Sequence, residues 1–180
     1  LGIRDMIYVS PNSFIATVSS MVWDGIKPIF VDFDEEYKSP ALVTHLYGIP
    51  EITKASPVIY DASHAFMVKY KGKSILSYGD VSAISFSAVK IFQSGEGGAV
   101  VTNNDEIADK ARWMRNYGYK DRYSFHGAGM NAKMSELHAA MGLCSLKLVD
   151  KMSARYAEII ERYNVAVSAA VANPTLCVLA

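Results

Sequence analysis

The stretch Met6-Ile7-Tyr8-Val9-Ser10-Pro11-Asn12, continued by Ser13 to Trp23 and by Asp24-Gly25 into Pro28-Ile29-Phe30-Val31, decides the fold. A four-residue apolar run ending in Ser-Pro-Asn reads as a buried strand running into a turn. Ser13 to Trp23 reads as a helix, with Asp24-Gly25 as its stop. The second apolar run is again strand-length, and the acidic turn from Asp32 to Glu36 follows it. Strand, helix and strand within so short a span make a βαβ unit, and such a unit requires a parallel sheet.

Outward from this unit the pattern recurs. Val58-Ile59-Tyr60 reads as a strand with Asp61 at its carboxyl end. Val81 to Phe86 is another, followed by a loop carrying Lys90, and Gly98 to Thr102 is a further strand. Asn103-Asn104-Asp105 offers side-chain caps to a helix whose apolar face is Ile107, Ala108, Ala111 and Met114, and Gly118 closes it. From Met134 on the periodicity stays helical: Leu137, Ala140, Met141, Cys144 and Leu148 share one stripe, and Met152, Tyr156, Ile159, Ile160 and Tyr163 extend it. A break is expected near Asp150. No internal repeat or low-complexity segment is present.

The 180 residues are 51% hydrophobic and 20% charged, with a formal net charge of zero. That composition belongs to a folded domain and excludes a disordered chain. The neutral balance gives no electrostatic ground for nucleic acid or an anionic membrane as partner. Cys144 and Cys177 have neither metal-ligand spacing nor a disulfide framework, so no metal site is expected and a reducing cytoplasm is the expected setting. The most apolar tail, Val165 to Ala180, is interrupted by Ser168, Asn173 and Pro174, too soon for a membrane span. The start, Leu1-Gly2-Ile3-Arg4-Asp5, is no signal peptide and lacks an initiator Met, so a chain beginning inside a longer protein is expected.

Ligands of open parallel sheets sit at the carboxyl ends of strands. Asp61, Ser85, Ser87 and Lys90 all fall at or just after such ends. Lys90 follows an apolar strand and precedes the turn Gly95-Glu96-Gly97-Gly98. An amine in a partly desolvated pocket has a lowered pKa and attacks carbonyl carbon. Pyridoxal phosphate needs an amine for its aldehyde, an acid at its ring nitrogen, donors for its phosphate and a stacking partner. Lys90 and Asp61 can supply the first two, although Asp61 alone reads equally well as a helix cap. Ser85 and Ser87 can donate to phosphate, or can be plain turn residues. Phe14 can stack on the ring or belong to the core. His64 can reach the phenolic oxygen or be satisfied locally.

Four segments carry a more specific signal: Asp61-Ala62-Ser63-His64-Ala65, Ser85-Phe86-Ser87-Ala88-Val89-Lys90, Gly95-Glu96-Gly97-Gly98 and Gly129-Met130-Asn131-Ala132-Lys133-Met134-Ser135-Glu136. In this order they resemble the DegT/DnrJ/EryC1/StrS aminotransferases, from about Asp5 to Asn164. Val9 to Thr17 resembles the family's first strand-to-helix turn.

The resemblance implies an α/β fold: a three-layer αβα large domain of the fold-type-I pyridoxal-phosphate transferase type with a mostly parallel central sheet. It places a cofactor-binding large domain over residues 1–164, shortened near 36–41 and 49–57. Residues 165–180 are then a tail at the possible start of a small C-terminal domain that is largely absent. It also implies the function, transfer of an amino group from an amino-acid donor, glutamate by analogy, to a nucleotide-linked keto-sugar in deoxy-amino-sugar biosynthesis.

By position, Lys90 resembles the catalytic lysine that forms a Schiff base with the cofactor, Asp61 the ring-nitrogen acid and His64 the residue near the phenolic oxygen. Phe14 resembles the stacking aromatic and Ser85 a phosphate ligand. Asn131 resembles an asparagine that reaches the cofactor phosphate of a neighbouring subunit, which implies a homodimer with shared active sites; Asn131 also reads as a helix cap. Relatives with histidine at the lysine position act as sugar dehydratases, so Lys90 favours transamination. A non-catalytic remnant kept for binding or dimerisation is the rival from another class.

Overall fold

The computed structural model describes the backbone of residues 1–32 and 35–172 and side chains through residue 168. Part of the acidic turn at 32–36, Cys177 and the end of the 165–180 tail lie outside the described residues.

The leading strand is β1 (Met6–Val9), followed by α1 (Ile15–Trp23) and β2 (Lys27–Phe30). β1 and β2 pair in parallel from Met6↔Lys27 to Val9↔Phe30, so the βαβ unit is present as read. Gly25, at φ +73°, turns the chain after α1, a left-handed geometry that glycine adopts without a Cβ clash. Next come β3 (Ala41–Thr44), β4 (Val58–Asp61), the two-residue strands β5 (Lys69–Tyr70) and β6 (Lys73–Ser74), β7 (Val81–Ser85) and β8 (Gly98–Val101). The six-stranded sheet has the order β2-β1-β3-β4-β7-β8, and all its pairings are parallel except β7 with β8. This is the α/β fold with a mostly parallel central sheet.

β3 is absent from the sequence reading, yet all four of its residues are buried at the centre of the sheet. The helices are α2 (Asp105–Met114), α3 (Glu136–Leu146) and α4 (Val149–Ala172). Asn104 caps α2 as expected, its Oδ1 accepting from the amides of Glu106 and Ile107 at 2.9 and 3.1 Å. The helical break falls at Lys147–Leu148, a little before Asp150. Asn131 is not the cap of α3: Ser135 holds that position, its Oγ accepting from the amide of His138. α4 continues unbroken past residue 164, so the described part of the tail is helix.

Both faces of the sheet are covered, unequally. On one, Ala41, Val43, Val58 and Tyr60 pack with Ala55 and the rings of Tyr37 and Tyr78, all three from connecting segments. On the other, Ile7, Val9 and Leu42 pack against Met21 and Val18 of α1. Each such aliphatic side chain stabilises the fold by about 1.5–3 kcal/mol relative to exposure. Side chains of α1 and α2 line one broad cavity on this second face. The strand order reverses between β1 and β3: the chain leaves β1 outward to β2, then returns to build β3, β4 and β7 on β1's other side. Such a reversal opens a crevice at the carboxyl edge of the sheet.

Candidate active site

The cavity, about 920 Å³ in volume, runs along the second face of the sheet from Leu1, Gly2 and Ile3 to that edge. Phe14, Asp61, His64, Ser85, Ser87 and Lys90 all line it, so six of the seven candidate residues converge on one space. Asn131 does not. It is exposed on a separate loop, where it bridges Asn116.

Lys90 belongs to a loop closed at its base by hydrogen bonds from the Phe86 amide to the Gly97 carbonyl and from the Ser94 amide to the Phe86 carbonyl, each 2.9 Å. Phe92 anchors the loop from within, stacked on Phe66 at 4.7 Å and edge-on to Phe86 at 4.8 Å. Gly142 of α3 sits against Ser94 and Phe92, where a Cβ would come within 3.4 Å of Ser94. The Lys90 amide donates to the Ser87 carbonyl at 2.9 Å, forming a tight turn that leaves the lysine half-buried beside the cavity. Gly98 allows β8 to approach β7 closely, since a Cβ there would lie 2.6 Å from the Ile84 carbonyl oxygen.

Asp61 ends β4 with its carboxylate held on both sides. Thr17 of α1 donates to Oδ2 at 2.7 Å. The hydroxyl and amide of Ser63 donate to Oδ1 at 2.6 and 3.0 Å. His64, three residues on, accepts at Nδ1 from the Tyr47 amide at 3.2 Å, and the Tyr47 ring lies parallel to it at 6.2 Å. Desolvation, and then the positive charge of Lys90, lower its pKa against an opposing pull from Asp61. His64 is therefore neutral near neutral pH, with the proton on Nε2, the nitrogen left free to donate. Tyr47 itself has φ +55°, a left-handed backbone uncommon for a bulky residue.

The sequence reading misses Thr17, Ser63 and Thr44. Thr44 belongs to the unread β3, and its Oγ1 is a buried hydroxyl without a hydrogen-bond partner on the cavity wall. Thr17 lies 44 residues from Asp61 in the chain, beyond any local pattern. Ser63 lies in the segment Asp61-Ala62-Ser63-His64-Ala65, where its spacing from Asp61 is that of an aspartate bonding its own chain two residues on.

The donor set fits pyridoxal phosphate: an amine, a hydrogen-bonded carboxylate, an aromatic ring that is 70% exposed, two serine hydroxyls and an unpaired buried hydroxyl on one cavity wall. Among the described residues no group of three or more His, Cys, Asp or Glu side chains could hold a metal ion. No described helix is long and apolar enough to cross a membrane.

An amine loop and a braced carboxylate on the carboxyl edge of a parallel sheet are the arrangement of α/β transferases that use pyridoxal phosphate. Within that class, the chain belongs to the DegT/DnrJ/EryC1/StrS aminotransferase family, whose model matches residues 49–176. The family's enzymes are pyridoxal-phosphate-dependent aminotransferases. The chain is 39% identical over 174 residues to dTDP-4-amino-4,6-dideoxy-D-glucose transaminase of Shigella dysenteriae, a match covering 83% of this chain and 47% of the relative. GDP-perosamine synthase of Escherichia coli O157:H7 is 35% identical over 191 residues, covering 91% and 52%. The crystal structure of DesI in the presence of its TDP-sugar product superposes with a TM-score of 0.74 at 29% identity, over 83% of this chain and 44% of that one. The chain thus spans about half the length of the curated relatives it matches.

Proposed function

We propose that this chain is the cofactor-binding part of an aminotransferase that moves an amino group from an amino acid, glutamate, to a nucleotide-linked keto-sugar. The observation that carries the reading is the convergence of Lys90 and the hydrogen-bonded Asp61 on one cavity. The relatives named above act on dTDP- and GDP-linked amino sugars, which supports the substrate class. Residues 1–164 form the cofactor-binding large domain in this proposal, and residues 165–180 lead out of it. A cytoplasmic setting, shared with biosynthetic enzymes of this kind, is part of the same reading.

Bound pyridoxal phosphate would supply an electron-accepting ring that stabilises negative charge at the substrate carbon next to nitrogen. The chain's own groups do the rest. Lys90 would hold the cofactor through its amine, and that amine would take and return the proton at the reacting carbon. Asp61 would present its carboxylate to the ring nitrogen and favour the protonated ring. Phe14 would cover a ring face, Ser85 and Ser87 would donate to the phosphate, and neutral His64 would offer Nε2–H to the phenolic oxygen.

Asn131 fits a homodimer with shared sites: it is exposed, outside its own cavity, and held by the Asn116 bridge on a loop beside α3. Exposed apolar side chains of α3 and α4, among them Leu137, Leu143, Ile160 and Tyr163, support burial by a second subunit.

The test is direct. The protein with pyridoxal phosphate should gain a visible absorbance band, and borohydride should fix the cofactor to the peptide containing Lys90. Lys90→Ala should abolish both, a loss of at least about tenfold in retained cofactor. Cofactor fixed to any other lysine would refute the assignment, and a band unmoved by glutamate would refute the donor.

A further inference from the structure

We propose that Thr17 is a positioning residue for the cofactor: with Ser63 it holds the Asp61 carboxylate so that Oδ2 is the oxygen offered to the ring nitrogen. The proposal rests on the functional reading above and adds to it a residue from a different element.

An ionised carboxylate has roughly four lone-pair positions. Ser63 occupies both on Oδ1, through its hydroxyl at 2.6 Å and its amide at 3.0 Å. Thr17 occupies one on Oδ2 at 2.7 Å. One acceptor position remains, on Oδ2, in a carboxylate that lines the cavity. The two anchors differ in kind. The Ser63 contacts are local, an aspartate bonding its own chain two residues on, and such turns form wherever the sequence allows. The Thr17 contact crosses from α1 to β4 and fixes the rotation of the carboxylate about its own axis. Thr17 is itself 7% exposed and has little freedom to move. Its amide donates to the Phe14 carbonyl at 2.9 Å, and its carbonyl accepts from Ser20 Oγ at 3.0 Å. The turn that places Phe14 over the cavity is therefore the turn that sets the Thr17 hydroxyl on Asp61. All three donors hold the carboxylate in one orientation, with its remaining acceptor position on Oδ2.

A hydroxyl bonded to an ionised group is among the stronger side-chain contacts. Thr17→Val keeps the shape of the side chain and removes the donor. It should weaken pyridoxal-phosphate binding roughly tenfold, read by absorbance titration, and shift the pH at which the bound cofactor's visible band changes. Thr17→Ser restores the donor and should bind within about twofold of wild type. A double-mutant cycle separates positioning from packing: in an Asp61→Asn background, Thr17→Val should add less than about a twofold effect, because the contact it removes no longer serves a charge. Thermal unfolding of each variant without cofactor checks that the fold is kept. Full additivity in the cycle, or an unchanged band and affinity in Thr17→Val, overturns the proposal while borohydride fixation at Lys90 leaves the functional reading standing. A wild type that fixes no cofactor at Lys90 overturns both.

Discussion

His45 provides a sharp physical test of the structure. It is completely buried just after β3, with its ring stacked on Tyr60 at a centroid distance of 4.6 Å and an interplanar angle of 21°. Nδ1 accepts from the Glu51 amide at 3.2 Å, so the neutral ring carries its proton on Nε2, which is buried without a hydrogen-bond partner. Protonation would use the lone pair that Glu51 occupies and would put a charge where water cannot reach. Burial accordingly pushes the pKa down from 6.5 to about 4, against a smaller opposing pull from Asp61. Above pH 6.5 the ring is neutral in both folded and unfolded chains and contributes no pH dependence. As pH falls from 6.5 toward 4 the unfolded chain takes up a proton that the folded chain refuses, so stability declines; below about 4 the decline levels off. At 1.36 kcal/mol per unit of pKa, the drop from pH 7 to pH 5 amounts to about 2 kcal/mol. The assay is urea unfolding at both pH values for wild type and His45→Asn, whose amide oxygen can still accept from Glu51 but cannot titrate. The difference between the two proteins isolates His45, because His64, also shifted downward, titrates alike in both. Parallel pH profiles for wild type and variant would show that water reaches the ring, and the burial argument would fail.

Two further substitutions probe the packing that supports the site. Asn104→Ala removes the cap from two amides of α2 and should cost about 1 kcal/mol in urea unfolding; a change under about 0.3 kcal/mol would mean water caps the helix equally well. Gly79→Ala combines a left-handed φ of +72° with a Cβ that would lie 2.5 Å from the Tyr60 ring, so a loss of about 3 kcal/mol is expected. Full stability in that variant would show that the Tyr60 ring swings aside, which should in turn disturb its stacking on His45.

The sequence was readable where chemistry and local geometry coincide. The βαβ unit announces itself through the apolar runs around Ser13 to Trp23, and the strand-end rule then finds Asp61, Ser85 and Lys90 without knowledge of the sheet order. β3 escapes because no helix among the described residues links it to β2, so the strand-helix-strand rhythm that marks β1 and β2 is missing there. The antiparallel direction of β8 has no local signature either; it follows from the Lys90 loop closing on itself through Phe86 and Gly97. The helical break is expected near Asp150 and falls at Lys147–Leu148, where no glycine or proline fixes its exact place.

Thr17 is the instructive omission. Nothing in Ile15-Ala16-Thr17-Val18 separates it from any small helical residue, and only the parallel pairing of β1, β3 and β4 swings α1 over the end of β4. The strand reversal between β1 and β3 therefore creates the crevice and also delivers the hydroxyl that braces its carboxylate. An acid that must keep one oxygen turned toward a ligand needs a second element to stop it rotating. In this fold the nearest one is the helix that the chain builds immediately after its first strand.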